Sequence, residues 1–506
     1  MKTNLINRRS FLGRSATVTT ALVAGAMLKP ARSLFAQGAR PGYPVQFPPD
    51  LLGDTLTAAP AEIEVWPGQH SELYAINGSV PAPTIRVRRH HRFAAQVNNH
   101  LTEPLVLHWH GILSPARMDG NPRDAVGPGE SYSVDFPIRQ QAGTYWYHAH
   151  TDRLTGKQVY LGIAGFFIVE DPAESYLGLP HGDHDLPLLV QDRRTHGEMH
   201  IAYEPEEMDI ATGFLGDAVF VNNTPEPWLS VDRGLYRLRL LNGSNARIYR
   251  IGFEHEQSFH LIANDAGLLL APIEVTTLML APGQRAEILV DFGHLNVGES
   301  LVLMSHPFEG GGHGGGEVAG AAQGVEEPHV PPQGEELPIL TFYVDREAEH
   351  GGIIPAQLAH FHAYNPKYVR RTRTFNLEVD GLFHPINGAL FDINRTDFSV
   401  PFGQLEMWEY VNHSDEFHPM HPHGALMQVL ERHGMEQLPA EDMGWKDTVL
   451  VAPGETVSVL VRFDDYRGDY VHHCHNLEHE DNGMMQNLRV LHQHGHRRLG
   501  DDSDGK

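Results

Sequence analysis

Short runs in which apolar and polar positions alternate, closed by turn residues, recur along this chain; YRLRLLNGS from Tyr236 is one. A period of two puts successive side chains on opposite faces of an extended backbone, so these runs predict half-buried β-strands. INGSVPAPTIRV from Ile76, VNNTPEPWLSV from Val221 and INGALFDINR from Ile386 are three versions of one strand and turn. VGPGESYSVDF from Val126, LAPGQRAEILVDF from Leu280 and VAPGETVSVLVRF from Val451 are three versions of another, in the same order. Three copies of each predict three repeated units. The Pro-Gly turns and valine-rich runs argue for antiparallel sheets, so the expected class is all-β, built as three Greek-key β-sandwiches. The units are expected at about 50–171, 172–350 and 351–495. A glycine-rich stretch, 309–334, reads as a surface loop within the second unit, and 496–506 as a solvated tail.

Composition narrows the function. At 506 residues and 41% hydrophobic content the chain can bury several cores. A net charge of -26 repels phosphate backbones, which argues against nucleic acid as a partner. The N-terminus, NRRSFLGRSATVTTALVAGAML, pairs Arg8 and Arg9 ahead of a moderately apolar stretch too short to span a bilayer comfortably. It resembles a twin-arginine export signal over 1–36, which implies a periplasmic or secreted protein without a stable membrane anchor once the signal is removed. A single cysteine, Cys474, rules out an intramolecular disulfide and leaves that thiol for other chemistry.

Pro128 to His148 and Pro453 to His473 span the same number of residues, so HAH (His148 to His150) overlies HCH (His473 to His475). The middle copy has MSH from Met304 and reads as a spacer that keeps the fold but not the pair. With HWHG from His108 and HPMHPHG from His418, four histidine clusters flank the repeat array. On a strand, residues i and i+2 share a face and i+1 points away. His473 and His475 are therefore expected to face one metal cluster and Cys474 another site. A thiolate with two imidazoles and a weak thioether is the blue-copper arrangement, available from Cys474, His418, His479 and Met484. Zinc is the competing metal, although its structural sites usually take more thiolates. Eight histidines remain: His108, His110, His148, His150, His421, His423, His473 and His475.

On these four motifs the sequence resembles the three-domain multicopper oxidases, a family that includes laccases and bacterial cuprous oxidases. The resemblance, over about 50–495, implies cupredoxin-like domains and four copper ions. His418, Cys474, His479 and Met484 would hold the type 1 ion, and His108 and His421 the type 2 ion. The type 3 pair would take His110, His148 and His475 on one ion, and His150, His423 and His473 on the other. It implies dioxygen and a small reducing substrate as partners of a monomer, with dioxygen reduced to water, and Asp119 and Glu480 as proton relays. The methionines are scattered and Ser414 stands four residues before His418, with Asp415 and Glu416 beside it. These features favour a laccase-like oxidase of phenols or aromatic amines. A cuprous oxidase serving copper tolerance, or a copper-binding or cell-division scaffold without turnover, are the alternatives.

Overall fold

The computed structural model describes residues 40–195, 199–309, 329–348, 352–360 and 362–492. The export-signal stretch, most of the glycine-rich loop and the tail lie outside them. Three pairs of sheets follow one another along the chain, so the all-β expectation holds. In the first pair, one sheet runs Gln69–Ile76, Thr55–Trp66, Arg92–Asn99, Ser131–Pro137, and the other Ile85–Arg88, Ala164–Glu170, Gly143–Ala149, Leu107–His108. The third pair repeats this order: its second sheet runs Phe398–Pro401, Met485–Leu491, Gly468–Cys474, His418–Pro422, Val449–Val451. Gly143–Ala149 and Gly468–Cys474 thus occupy the same place in their sheets, as the matched Pro-Gly spacing requires. The middle pair has six and seven strands, and Tyr43–Pro44 joins it by pairing with Pro227–Asp232.

Each sandwich closes over its own apolar core. The first is built around Phe93, Trp109, Trp146 and Phe167, the second around Leu238, Ile288 and Phe342. The third packs Trp408 and Met420 with Cys474 and Met484, so two candidate ligands sit among apolar side chains. Gly143–Ala149 is buried at every position.

Leu235–Asn242, expected to be half-buried, is also buried throughout. Alternation did place Arg237 and Arg239 on the polar face, but that face meets another layer instead of water. Arg239 stands opposite Glu287 across the strand pair and donates to its Oε1 at 2.9 Å, while Arg237 Nε donates to Oε2 at 2.7 Å. Thr144, on the strand that carries His148, donates to Glu287 Oε1 at 2.7 Å. The buried ions of the second sandwich therefore hold the first through the Thr144 hydroxyl. The glycine-rich stretch also differs from expectation at its end: Val330 is buried, and Arg247 donates to the Pro331 carbonyl at 2.9 Å.

Burial would raise the Glu287 carboxyl, yet Arg237 and Arg239 outweigh it and lower it from 4.5 to about 2. Its contribution to stability is thus complete above about pH 4.5 and is lost as the pH falls toward 2. Removing one partner of a buried cluster leaves the other charges uncompensated, so Glu287→Gln is expected to cost about 3–5 kcal/mol at pH 7. Denaturant melts of wild type and variant check this: the gap should narrow below pH 4.5, and a gap constant from pH 7 to 3 would contradict it.

Candidate metal centres

His473 and Cys474 are consecutive in Gly468–Cys474, so their side chains leave on opposite faces. His421 lies directly across from His473, and His108 across from His148, in antiparallel pairs. Opposed residues on one face stand close enough for their side chains to meet, so each sheet delivers two imidazoles together. The other pair members, His110, His150, His423 and His475, lie just past their strand ends. Gly111 and Gly424, both at positive φ, turn the chain away after two of the pairs. All eight side chains are buried.

The outer ring nitrogens fix what the inner ones are. His108 Nδ1 is 2.6 Å from the Asp119 carbonyl, His421 Nδ1 2.7 Å from that of Asp447, His148 Nδ1 2.9 Å from that of Ala149, and His473 Nδ1 3.0 Å from that of Cys474. A carbonyl only accepts, so each Nδ1 carries the hydrogen and each Nε2 a lone pair. Yet His108 Nε2 and His421 Nε2 are 3.3 Å apart, and His473 Nε2 is 3.2 Å from Nε2 of both His150 and His423. His148 Nε2 faces His110 Nδ1 at 3.4 Å. Between His108 and His421 the converging lone pairs repel unless a cation lies among them. Protons are a poor choice of cation here: burial, and then the neighbouring imidazoles, hold His108, His110, His150, His421, His423 and His475 well below the usual histidine range. His475 has no hydrogen-bond partner at either ring nitrogen. Neutral, convergent imidazoles of this kind fit a metal cluster.

On the other face, Cys474 Sγ is 3.7 Å from His418 Nδ1 and 3.8 Å from His479 Nδ1. Ser414 Oγ lies 2.9 Å from His418 Nε2 and itself donates to Asn412 Oδ1, so it accepts from the ring. Two acceptors, the Ala211 carbonyl at 3.2 Å and Glu416 Oε2 at 3.1 Å, face His479 Nε2 against one amide N–H, that of Asn476 at 3.1 Å. Both outer nitrogens therefore carry hydrogen, and both Nδ1 lone pairs point at the sulfur. Burial pushes the Cys474 thiol well up, so it ionises here only beside a cation. Met484 is buried in the same core, its backbone bonded to Cys474 and His479. The set fits the blue-copper donors expected from sequence.

The short helix Leu477–Asp481, capped by Asn476, sends His479 to the sulfur and Glu480 toward the histidine cluster. Glu480 Oε2 is 3.0 Å from His473 Nδ1 and Oε1 is 3.4 Å from His150 Nε2, at angles that leave both oxygens without a hydrogen bond. Asp119 Oδ2 is 2.7 Å from His423 Nδ1, and Ser114 donates to Oδ1 at 2.7 Å. Burial, against the Ser114 bond, pushes its carboxyl up to about 8.

The middle sandwich is more than a spacer. Its Arg285 donates to both oxygens of Asp447, at 2.8 and 2.5 Å, and Asp447 Oδ1 is 3.0 Å from His110 Nε2. Asp265 holds Lys446 at 2.9 Å. Gly283, in the middle Pro-Gly turn, lies against His475, where a Cβ would come within 2.9 Å of the ring. His306, from the middle MSH, instead bonds the Phe253 carbonyl at 3.1 Å. Sequence reasoning missed Asp447, Arg285 and Asp265 because no histidine marks them; the Asp-Thr step just before the third Pro-Gly turn was the available cue. It also missed His384, whose ring stacks on His479 at 3.8 Å. From sequence, Glu416 was noted only as an acid beside Ser414. Burial notwithstanding, His384 and His479 hold its carboxyl well below the usual carboxylate range.

A multicopper oxidase sequence pattern matches residues 57–174, and a second with the same description matches 359–494. The multicopper oxidase mco of Staphylococcus aureus is 31% identical over 441 residues, covering 86% of this chain and 88% of that protein. This chain belongs to the multicopper oxidase family. The McoA multicopper oxidase from the hyperthermophile Aquifex aeolicus superposes with a TM-score of 0.79 at 34% identity, over 89% of this chain and 99% of that one. The cell division protein FtsP of Dickeya dadantii is 34% identical over 509 aligned positions, 96% of this chain and 98% of that protein. The multicopper oxidase architecture accounts for the three cupredoxin-like sandwiches, and copper is the metal that the family implies for both donor groups.

In this multicopper oxidase only Cys474 can provide a thiolate. Cys474→Ser is expected to abolish the blue absorption of the copper-loaded protein while leaving a cooperative melt and an unchanged far-ultraviolet spectrum. Blue colour in the variant would refute the assignment.

Proposed function

We propose that this multicopper oxidase is catalytically active and laccase-like, coupling one-electron oxidation of phenols or aromatic amines to four-electron reduction of dioxygen to water. The observation that carries this is the pair of donor groups either side of one peptide step, with Cys474 Sγ between His418 and His479 Nδ1 and with His473 and His475 among the clustered rings. Four copper ions would be held as the motif resemblance assigns them: His418, Cys474, His479 and Met484 for one, and the eight remaining histidines for three. Bound there, copper supplies one-electron uptake at the single site and dioxygen reduction at the cluster.

The protein's own groups do the rest. The Cys474 backbone joins the two sites covalently. Water formation consumes protons, and two buried carboxyls stand where protons are needed, Glu480 Oε2 beside His473 and Asp119 Oδ2 beside His423. The complete ligand set supports turnover over a scaffold role, which the FtsP-named relatives keep in view. A cavity of about 380 Å³ lined by Met279, Phe308, Phe417, Met435 and Leu450 starts one residue before His418 and suits an aromatic ring. One observation favours cuprous ion instead. The helix Glu207–Thr212 covers His479 with the Ala211 carbonyl and carries Met208 on its exposed surface. Export by a twin-arginine route to the periplasm or beyond, as a monomer, belongs to this reading; Arg8, Arg9 and the following apolar stretch support the export.

A steady-state comparison of the copper-loaded protein with a phenol and with cuprous ion is expected to give the higher kcat/KM for the phenol; the reverse would transfer the proposal to metal-ion oxidation. Glu480→Gln is expected to slow reoxidation by dioxygen by about 10²-fold and substrate oxidation far less. Equal slowing of the two half-reactions would remove Glu480 from the relay.

A further inference from the structure

The two ring nitrogens that face away from Cys474 are treated differently by the protein. His418 Nε2 meets a neutral hydroxyl, Ser414 Oγ at 2.9 Å. His479 Nε2 has a carboxylate beside it, Glu416 Oε2 at 3.1 Å, as well as the Ala211 carbonyl. The same Glu416 oxygen is 3.3 Å from Nε2 of His384, a fully buried histidine that belongs to neither donor group. His384 lies flat on His479, with ring centroids 3.8 Å apart and planes at 18°, and its Nδ1 has no hydrogen-bond partner. The His384 ring thus does two things at once: it blocks rotation of the ligand ring, and it donates to the carboxylate that sits against that ring.

We infer that Glu416 and His384 form a positioning pair that sets the reduction potential of the Cys474 site, with His479 as the ligand they contact. This rests on the copper reading of that site. An anion held against the outer nitrogen of a ligand raises the ligand's basicity and favours the oxidised, more highly charged ion. Its removal favours the reduced ion. The structure also ranks the two residues: Glu416 carries the charge, and His384 fixes where that charge lies.

The test is a redox titration, followed by the blue absorption, of copper-loaded wild type, Glu416→Gln, His384→Phe and the double variant. Phe keeps a flat ring against His479 but cannot donate. Glu416→Gln is expected to shift the balance toward the reduced ion at least tenfold, an upward move of about 59 mV or more for one electron. His384→Phe should move it the same way by less. Because His384 acts through Glu416, the double variant should match Glu416→Gln and not the sum. An unchanged potential in Glu416→Gln, or additive shifts in the double variant, would overturn the inference. Should Glu416→Gln fail to take up copper, His384→Phe decides alone, by an upward shift or by none. Absence of a blue band from the wild type would defeat the copper reading itself, whereas a blue band at one fixed potential throughout would defeat only this pair.

Discussion

Lone pairs aimed at one another hold the key to this molecule. Backbone carbonyls take the Nδ1 hydrogens of His108, His148, His421 and His473, which leaves their Nε2 atoms facing other ring nitrogens at 3.2–3.4 Å. Between His108 and His421, both held by carbonyls, no rearrangement of ring hydrogens relieves that contact, because the carbonyls cannot donate. Protonating the rings would, but burial and mutual repulsion oppose it. The fold therefore stores an unmet demand for positive charge at the junction of its first and third sandwiches. Metal binding satisfies it without rebuilding anything, which is what preorganisation means at a metal site.

The demand persists because the surrounding protein keeps the rings from turning away. Asp119 provides a carbonyl to His108 and a carboxyl to His423. Asp447 provides a carbonyl to His421 and a carboxyl to His110, and is itself clamped by Arg285 from the middle sandwich. Glu287, Arg237 and Arg239 tie the same sandwich to the strand that carries His148. A unit that contributes none of the eight clustered imidazoles thus fixes the geometry of those that do. Buried ions of this kind are costly to leave unpaired, so the three sandwiches are mutually dependent.

Much of this was legible in the sequence, for physical reasons that apply residue by residue. Matched spacing from the Pro-Gly turns to His148 and His473 identified equivalent strands, because turns fix register. The i, i+2 rule separated Cys474 from its neighbours correctly. It was less accurate on where the rings sit, since one member of each pair lies past a strand end. What stayed hidden are contacts between residues distant in the chain with no periodic mark: Arg285 with Asp447, His384 with Glu416, and the burial of Arg237 and Arg239 on a face that alternation alone assigns to water.

Anomalous scattering from crystals of the copper-loaded protein, recorded at the copper absorption edge, tests the central claim most directly. The account predicts four peaks: one within bonding distance of Cys474 Sγ and of Nδ1 on His418 and His479, and three among the eight clustered imidazoles. A cluster without peaks, its rings still facing one another, or a metal that leaves the sulfur untouched, would contradict it.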